Sequence, residues 1–489
     1  MDQQQYLHDA EAFHGRLNLE YYLAGAGLKT GLDLTPIYDD YVHLFEGERY
    51  DELAAWDLEA KQVRYVQAFV ADGNLSAETR RFSEKLAAAE AAAMVTWEDR
   101  PVPYREMPIL IANEADAGRR HAMEQAYLSV MASLNPLLED REKRLQRGGR
   151  GFGHSGYIAL YDDLKELELK TLTETMQQYL ADTSGLYFSA LDTYLHEMNI
   201  LREDSRRCDV ARIFRAPQYD VGFPADRMLP SLHAALRELG IDLGDQTQIH
   251  LDTESRPLKS PRAFCSVIQV PGDIRLVIKP SGGEQDFEAL FHEAGHAEHY
   301  ANIDRTLPFA YRYLGDDSLT ESYAFLLEYL LNDRAWLNSH LEYDAPAGFC
   351  QLMGFHKLYM LRRYATKLIY EQLLHDTDEP GDLPGTYDEL MRTHLGVSYG
   401  PEGYLTDVDD GFYCAAYLRA WIFEAQHRGY LVREFGDDWF RNPKAGKFLR
   451  ELWRDGQKYN VVELARFMGY EGLDIGPVAA NINELMGAR

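Results

Sequence analysis

Cysteine is scarce in this 489-residue chain: there are four, Cys208, Cys265, Cys350 and Cys414. They lie far apart and none forms a CxxC pair, so free thiols in a reducing cytoplasm account for them most simply. Basic residues are outnumbered, 50 Lys and Arg against 79 Asp and Glu, for a net charge of −29. That balance argues against nucleic acid as a partner, because phosphates need a basic surface. It would attract cationic peptides weakly and in a salt-dependent way; a solvated acidic surface is the plainer reading. Long apolar runs are missing too. LLEYLL is short and carries a glutamate, so no membrane span is expected. The opening MDQQQYLHDAEAF has neither a basic n-region nor an apolar h-region, so no signal peptide is expected. The glycine-rich run RGGRGFGHSG, 147–156, lacks G-K-[ST] and a preceding strand. It is therefore no phosphate loop but a connection between helices, or a hinge. There is no internal repeat and no low-complexity tail.

Charged and apolar residues recur at helical spacing over most of the chain. Examples are SAETRRFSEKLAAAEAAAMVTWEDR, HAMEQAYLSVMASLNPLLEDREKRLQR and the long run from Tyr161 to Met198. The fold class is therefore mainly α. The length suffices for two or three domains. A polar stretch near Arg202–Cys208 divides the chain into a helical N-terminal region, residues 1–205, and a C-terminal region, residues 206–489.

The C-terminal region carries FHEAGH, with His292, Glu293 and His296 in the HExxH pattern. On a helix, positions four apart share a face, so the two imidazoles converge. Phe287, Leu290, Ala294, Ala297 and Ala301 fall on the opposite side, which makes the helix amphipathic with its histidines away from the apolar stripe. Two imidazoles at this spacing suit zinc, and Glu293 stands where it can take a proton from water. His299 shares the histidine face and reads as structural. The metzincin pattern is excluded, since it needs Gly and His where this chain has His299 and Asn302. For the third ligand a short spacing reaches Asp316 and a longer one reaches Glu321, in the helical run DDSLTESYAFLLEYLL. Glu321 also fits an S-x-x-E capping box with Ser318. Glu328, two turns beyond, can orient a ligand histidine through its ring N–H. Upstream, PRAFCSVIQV and IRLVIKP flank Pro271-Gly272-Asp273 and read as a hairpin; its edge could accept a peptide as an added strand. Ser281-Gly282-Gly283 then breaks the chain ahead of the motif helix.

With AFCSVIQV, DFEALFHEAGHAEHY, TESYAFLLEYL and KAGKFLRELWRDGQKYNVVELARFMGY in view, the chain resembles the thimet oligopeptidase and oligoendopeptidase F family of gluzincins from about Arg212 to the end. Angiotensin-converting enzyme and thermostable zinc carboxypeptidases share the broader architecture. The resemblance implies a two-lobed helical body with a deep substrate channel and a small sheet beside the motif helix. It implies one Zn²⁺ per chain held by His292, His296 and Glu321, Glu293 as general base, and short unfolded peptides as substrates. The family's tyrosine segment matches SYGPEGYLTDVDDGFYCAAYLRAW. That match implies Tyr404 at the substrate and Tyr413 or Tyr417 at the oxyanion. The family's histidine in this segment is absent; Tyr399 or Asp407 stands in its place. Cys414, among these tyrosines, reads as packing. One rival reading is a carboxypeptidase or dipeptidyl carboxypeptidase with Arg419 holding the terminal carboxylate. Another is a zinc-containing peptide-binding protein without turnover. A monomer or homodimer in the cytoplasm completes the expectation.

Overall fold

A computed structural model describes residues 2–260, 262–280, 282–377 and 379–487. Pro261 and Ser281, which bound the expected hairpin, lie outside the described residues. The chain is mostly helical, with twenty-one α-helices among the described residues. None is long and apolar enough to cross a membrane. One apolar core runs from Tyr6 to Ile482 and draws on both sides of residue 205. A satellite core around Tyr104, Met107, Tyr127 and Met131 packs beside it.

One sequence expectation changes. MVTW does not continue the helix Ala60–Ala92; it forms strand β1 (Met94–Trp97), paired antiparallel with β2 (Arg100–Pro103). The β-branched and aromatic residues favour a strand, and Glu98 and Asp99 supply the two positive φ angles (49° and 60°) of a tight hairpin turn. The run from Tyr161 to Met198 is helical, in three segments. It forms the end of Tyr157–Leu164, then Leu169–Asp182 and Ser184–Glu197, with Glu166 and Glu168 at positive φ in the first break. Residues 147–156 do connect helices, ending Ala117–Gly149 and leading into Tyr157–Leu164.

The expected hairpin is β4 (Phe264–Gln269) and β5 (Asp273–Val277), and a third strand, β3 (Ile249–Asp252), pairs parallel to β5. The order β3-β5-β4 leaves β4 at the edge. The motif helix, Glu284–Asn302, begins after Gly283 with Glu284 and Asp286 in its first turn, where carboxylates suit the helix dipole. It buries Phe287, Leu290, Phe291, Ala294 and Ala297. At Gly295 it touches the helix Asp317–Glu328 backbone to backbone: a Cβ there would lie 2.5 Å from Ala324 Cα and 2.6 Å from Tyr323 O. Glycine alone permits that approach, and the approach carries Glu321 to the histidines.

Candidate metal centre and the wall facing it

His292 and His296 project from successive turns of the motif helix, with ring centroids 5.0 Å apart. Glu321 comes from the adjacent helix and is 3% exposed. Its Oε2 lies 3.4 Å from His292 Nε2 and its Oε1 3.7 Å from His296 Nε2. The capping-box alternative does not form: Asp316 caps this helix by accepting the Ser318 N–H at 3.0 Å. Glu321 instead accepts the Tyr413 hydroxyl on Oε1 at 2.6 Å, while its buried Oε2 makes no hydrogen bond.

Both imidazoles are held from behind. His292 Nδ1 is bonded to Glu328 Oε2 at 2.7 Å and His296 Nδ1 to Thr320 Oγ1 at 2.9 Å. Each Nε2 is thus the atom left facing Glu321. Two such nitrogens and one bare carboxylate oxygen within 4.8 Å of one another form a donor set that fits zinc. Burial pushes the His296 pKa down to about 4, whereas at His292 burial is outweighed by Glu321 and Glu328, which raise its pKa well above the ordinary value. His299 points elsewhere: it is fully buried against Tyr300 and Tyr323, and burial lowers its pKa to about 3.

Glu293 accepts the outward N–H of Cys265, on edge strand β4, at 2.7 Å. Burial raises the Glu293 carboxyl to about 7; Glu321 adds to the rise, and His292 and the Cys265 N–H oppose it.

The tyrosine segment divides. Tyr413 and Tyr417, one turn apart on the helix Tyr413–Phe435, pack edge-on at 5.3 Å. Tyr413 is committed to Glu321, whereas the half-buried Tyr417 has a hydroxyl free of hydrogen bonds among the described residues. Tyr404 is buried and its hydroxyl goes to Glu139, away from the histidines. Tyr399 pairs its hydroxyl with that of Tyr359. Asp407 accepts the Tyr387 hydroxyl and pairs with Arg363. Cys414 is buried, its thiol donating to Glu371 at 2.9 Å. Arg419 is 2% exposed and fully engaged, pairing with Asp316 at 3.1 Å and donating to the carbonyls of Glu166 and Leu167. It is a structural cross-link with no fork left for a substrate carboxylate. Asp316 is removed as a ligand by the same pair.

Sequence reasoning missed a wall contributed by the helix Ala347–Asp376. Tyr364 packs on Tyr417 at 5.1 Å, and Arg363 and Lys367 flank the Tyr364 ring. Lys367 pairs with Asp409 at 2.7 Å. The adjacent cations in LRRYATK were the available signal.

The fold is that of helical metallopeptidases. No family profile matches the sequence. No curated protein matches it. Solved structures do match. A structure assigned as oligoendopeptidase F from Bacillus anthracis aligns with TM-score 0.66 at 13% identity, over 96% of this chain and 84% of that one. An M32 carboxypeptidase from Deinococcus radiodurans aligns with TM-score 0.56 at 14% identity, over 99% of each chain. PZ peptidase A aligns with TM-score 0.63 at 12% identity, over 96% and 85%.

Proposed function

We propose that this protein is a zinc-dependent peptidase that hydrolyses short unfolded peptides, with His292, His296 and Glu321 as ligands and Glu293 as general base. The observation that carries the reading is the set of open donor atoms just described, with a buried carboxylate at its side, on a peptidase fold. Bound there, the ion would supply Lewis acidity that lowers the pKa of water and draws charge from a scissile carbonyl.

The chain's own residues do the rest. Glu293, aimed by the Cys265 N–H, takes the proton of the attacking water and returns it to the leaving amine; a pKa near neutrality suits both transfers. Tyr417 donates its free hydroxyl to the oxyanion that develops on the substrate. Tyr413 serves differently, fixing Glu321 through its 2.6 Å bond. Edge strand β4 offers main-chain groups to a peptide laid alongside it. The four free thiols agree with a reducing cytoplasm.

The test is mass spectrometry of products from a peptide ladder, with zinc-loaded wild type and Glu293→Gln in parallel. The variant should keep its zinc and lose about 10²- to 10⁴-fold in turnover. Normal hydrolysis by the variant removes Glu293 as base. No hydrolysis by the zinc-loaded wild type removes the peptidase reading.

A further inference from the structure

The proposed donor, Tyr417, is held by packing alone. Its hydroxyl meets no hydrogen-bond partner among the described residues, so nothing polar fixes its direction. Among those residues four rings touch it. Tyr413 at 5.3 Å and Trp421 at 5.7 Å ride on its own helix, Tyr413–Phe435, and Phe325 at 5.7 Å sits on the helix that carries Glu321. The fourth, Tyr364 at 5.1 Å, comes from the facing helix Ala347–Asp376. The charges of Glu321 and Glu293 act on the Tyr417 phenol, and so does the Tyr364 phenol.

Tyr364 is itself clamped. Trp421 packs edge-on against its ring at 5.0 Å. Arg363 and Lys367, on the same helix, each lie 5.4 Å from the ring centre, near enough for a cation to be drawn to it. Neither cation is spare: Arg363 pairs with Asp407, and Lys367 with Asp409 at 2.7 Å. Both acids lie in the loop just ahead of Tyr413. The two ion pairs therefore tie the helix of Tyr364 to the loop that leads into the helix of Tyr417. The Tyr364 hydroxyl has no hydrogen bond among the described residues, so what it presents to Tyr417 is its ring.

We propose that Tyr364 is a positioning residue: its clamped ring braces Tyr417 from the facing helix and holds the Tyr417 hydroxyl where it donates to the substrate oxyanion. This rests on the peptide-hydrolysing reading above. A donor to a developing charge is effective only in the right place, and a displacement of about 1 Å costs about 10²-fold. Without Tyr364 the remaining rings touch Tyr417 only from its own helix and the helix of Glu321, and the phenol can swing into the space left behind.

The test reads position and turnover separately in the full-length protein. A fluorotyrosine placed at Tyr417 should give one sharp fluorine NMR line. Tyr364→Leu should broaden or split that line, and Tyr364→Phe, which keeps the ring, should restore it. With zinc loaded and a fluorogenic Gly-Ala-Phe-Leu-Ala peptide as substrate, Tyr364→Leu should lower kcat about 10- to 100-fold with KM within about twofold. Tyr364→Phe should rescue most of that loss. Added to Tyr417→Phe, Tyr364→Leu should cost nothing further, because it acts through the Tyr417 hydroxyl. Bound zinc should stay at the wild-type level throughout. An undisturbed line, a wild-type kcat in Tyr364→Leu, zinc lost along with turnover, or losses that multiply in the double variant overturns the proposal. Equal losses in Tyr364→Phe and Tyr364→Leu would make the Tyr364 hydroxyl the acting group and overturn it too. Should Tyr364→Leu not fold, Tyr364→Met puts the same question with less volume lost. A disturbed line without hydrolysis by the wild type keeps the brace and removes the peptidase reading. Hydrolysis with an undisturbed line does the reverse.

Discussion

Among the described residues two groups of histidine and carboxylate converge, and only one is open. His121, Cys208 and Asp209 bring their atoms within 4.8 Å, as His292, His296 and Glu321 do. In the first group Asp209 is completely buried. Its Oδ1 takes Nη2 and Nε of Arg120 at 2.6 and 3.0 Å. Its Oδ2 takes His121 at 2.8 Å and the Arg206 N–H at 2.9 Å. Both carboxylate oxygens are in use, and the guanidinium would repel a cation. In the second group the Nδ1 atoms are anchored from behind and Glu321 keeps one oxygen bare. Converging ligand types do not make a metal centre; uncommitted lone pairs do.

The contrast can be broken most severely at Glu321. Glu321→Ala should lower zinc affinity by more than the roughly 10- to 100-fold that loss of an outer partner causes, in competition with a chelator. Asp209→Asn should leave the zinc stoichiometry unchanged by elemental analysis; a drop would mean that the first group also binds metal. Next comes Arg120→Met, which takes the permanent cation from the buried Asp209 and leaves it only His121 and the Arg206 N–H. It should destabilise the protein by about 3–5 kcal/mol in urea unfolding, with zinc content intact. Smaller is the loss of the outer bonds: Glu328→Ala or Thr320→Ala should each weaken zinc about 10- to 100-fold by the same chelator assay.

A different kind of effect, read per pH unit, belongs to Glu371, a buried carboxylate whose cation, Lys367, stands 3.9 Å away. Burial pushes its pKa up to about 8, with Lys367 opposing. Its ordinary value is 4.5, so the folded protein holds the extra proton between those limits. Stability should therefore fall as pH rises through that window, by up to about 1.4 kcal/mol per pH unit. Glu371→Gln should flatten that slope in urea titrations across the same range; an unchanged slope assigns it to another group.

What could be read in advance was whatever depends on local spacing. The helical period puts His292 and His296 on one face, and β-branched runs around Pro-Gly-Asp give a hairpin. The same local signals misled where two patterns overlap, as in MVTW, whose strand propensity won once Glu98 and Asp99 could turn. What was not legible depends on partners remote in sequence. Arg419 reads as an available cation until Asp316, 103 residues away, is seen beside it. Tyr404 fits a substrate role by its neighbours in sequence, yet Glu139 of another helix holds its hydroxyl. The Cys265 N–H that aims Glu293 has no signature at all, because every strand residue has a main-chain donor. Thr320 precedes Glu321, but nothing in that adjacency says that its hydroxyl meets His296.

The absent side chain of Gly295 has a kinetic corollary. Because the motif helix and its neighbour touch through their backbones there, the spacing of the two helices that carry the histidines and Glu321 is set by main chain. An ion held by both would lose Glu321 whenever the helices part. The time course of metal loss to a chelator would then carry a contribution from local opening at the centre of the molecule.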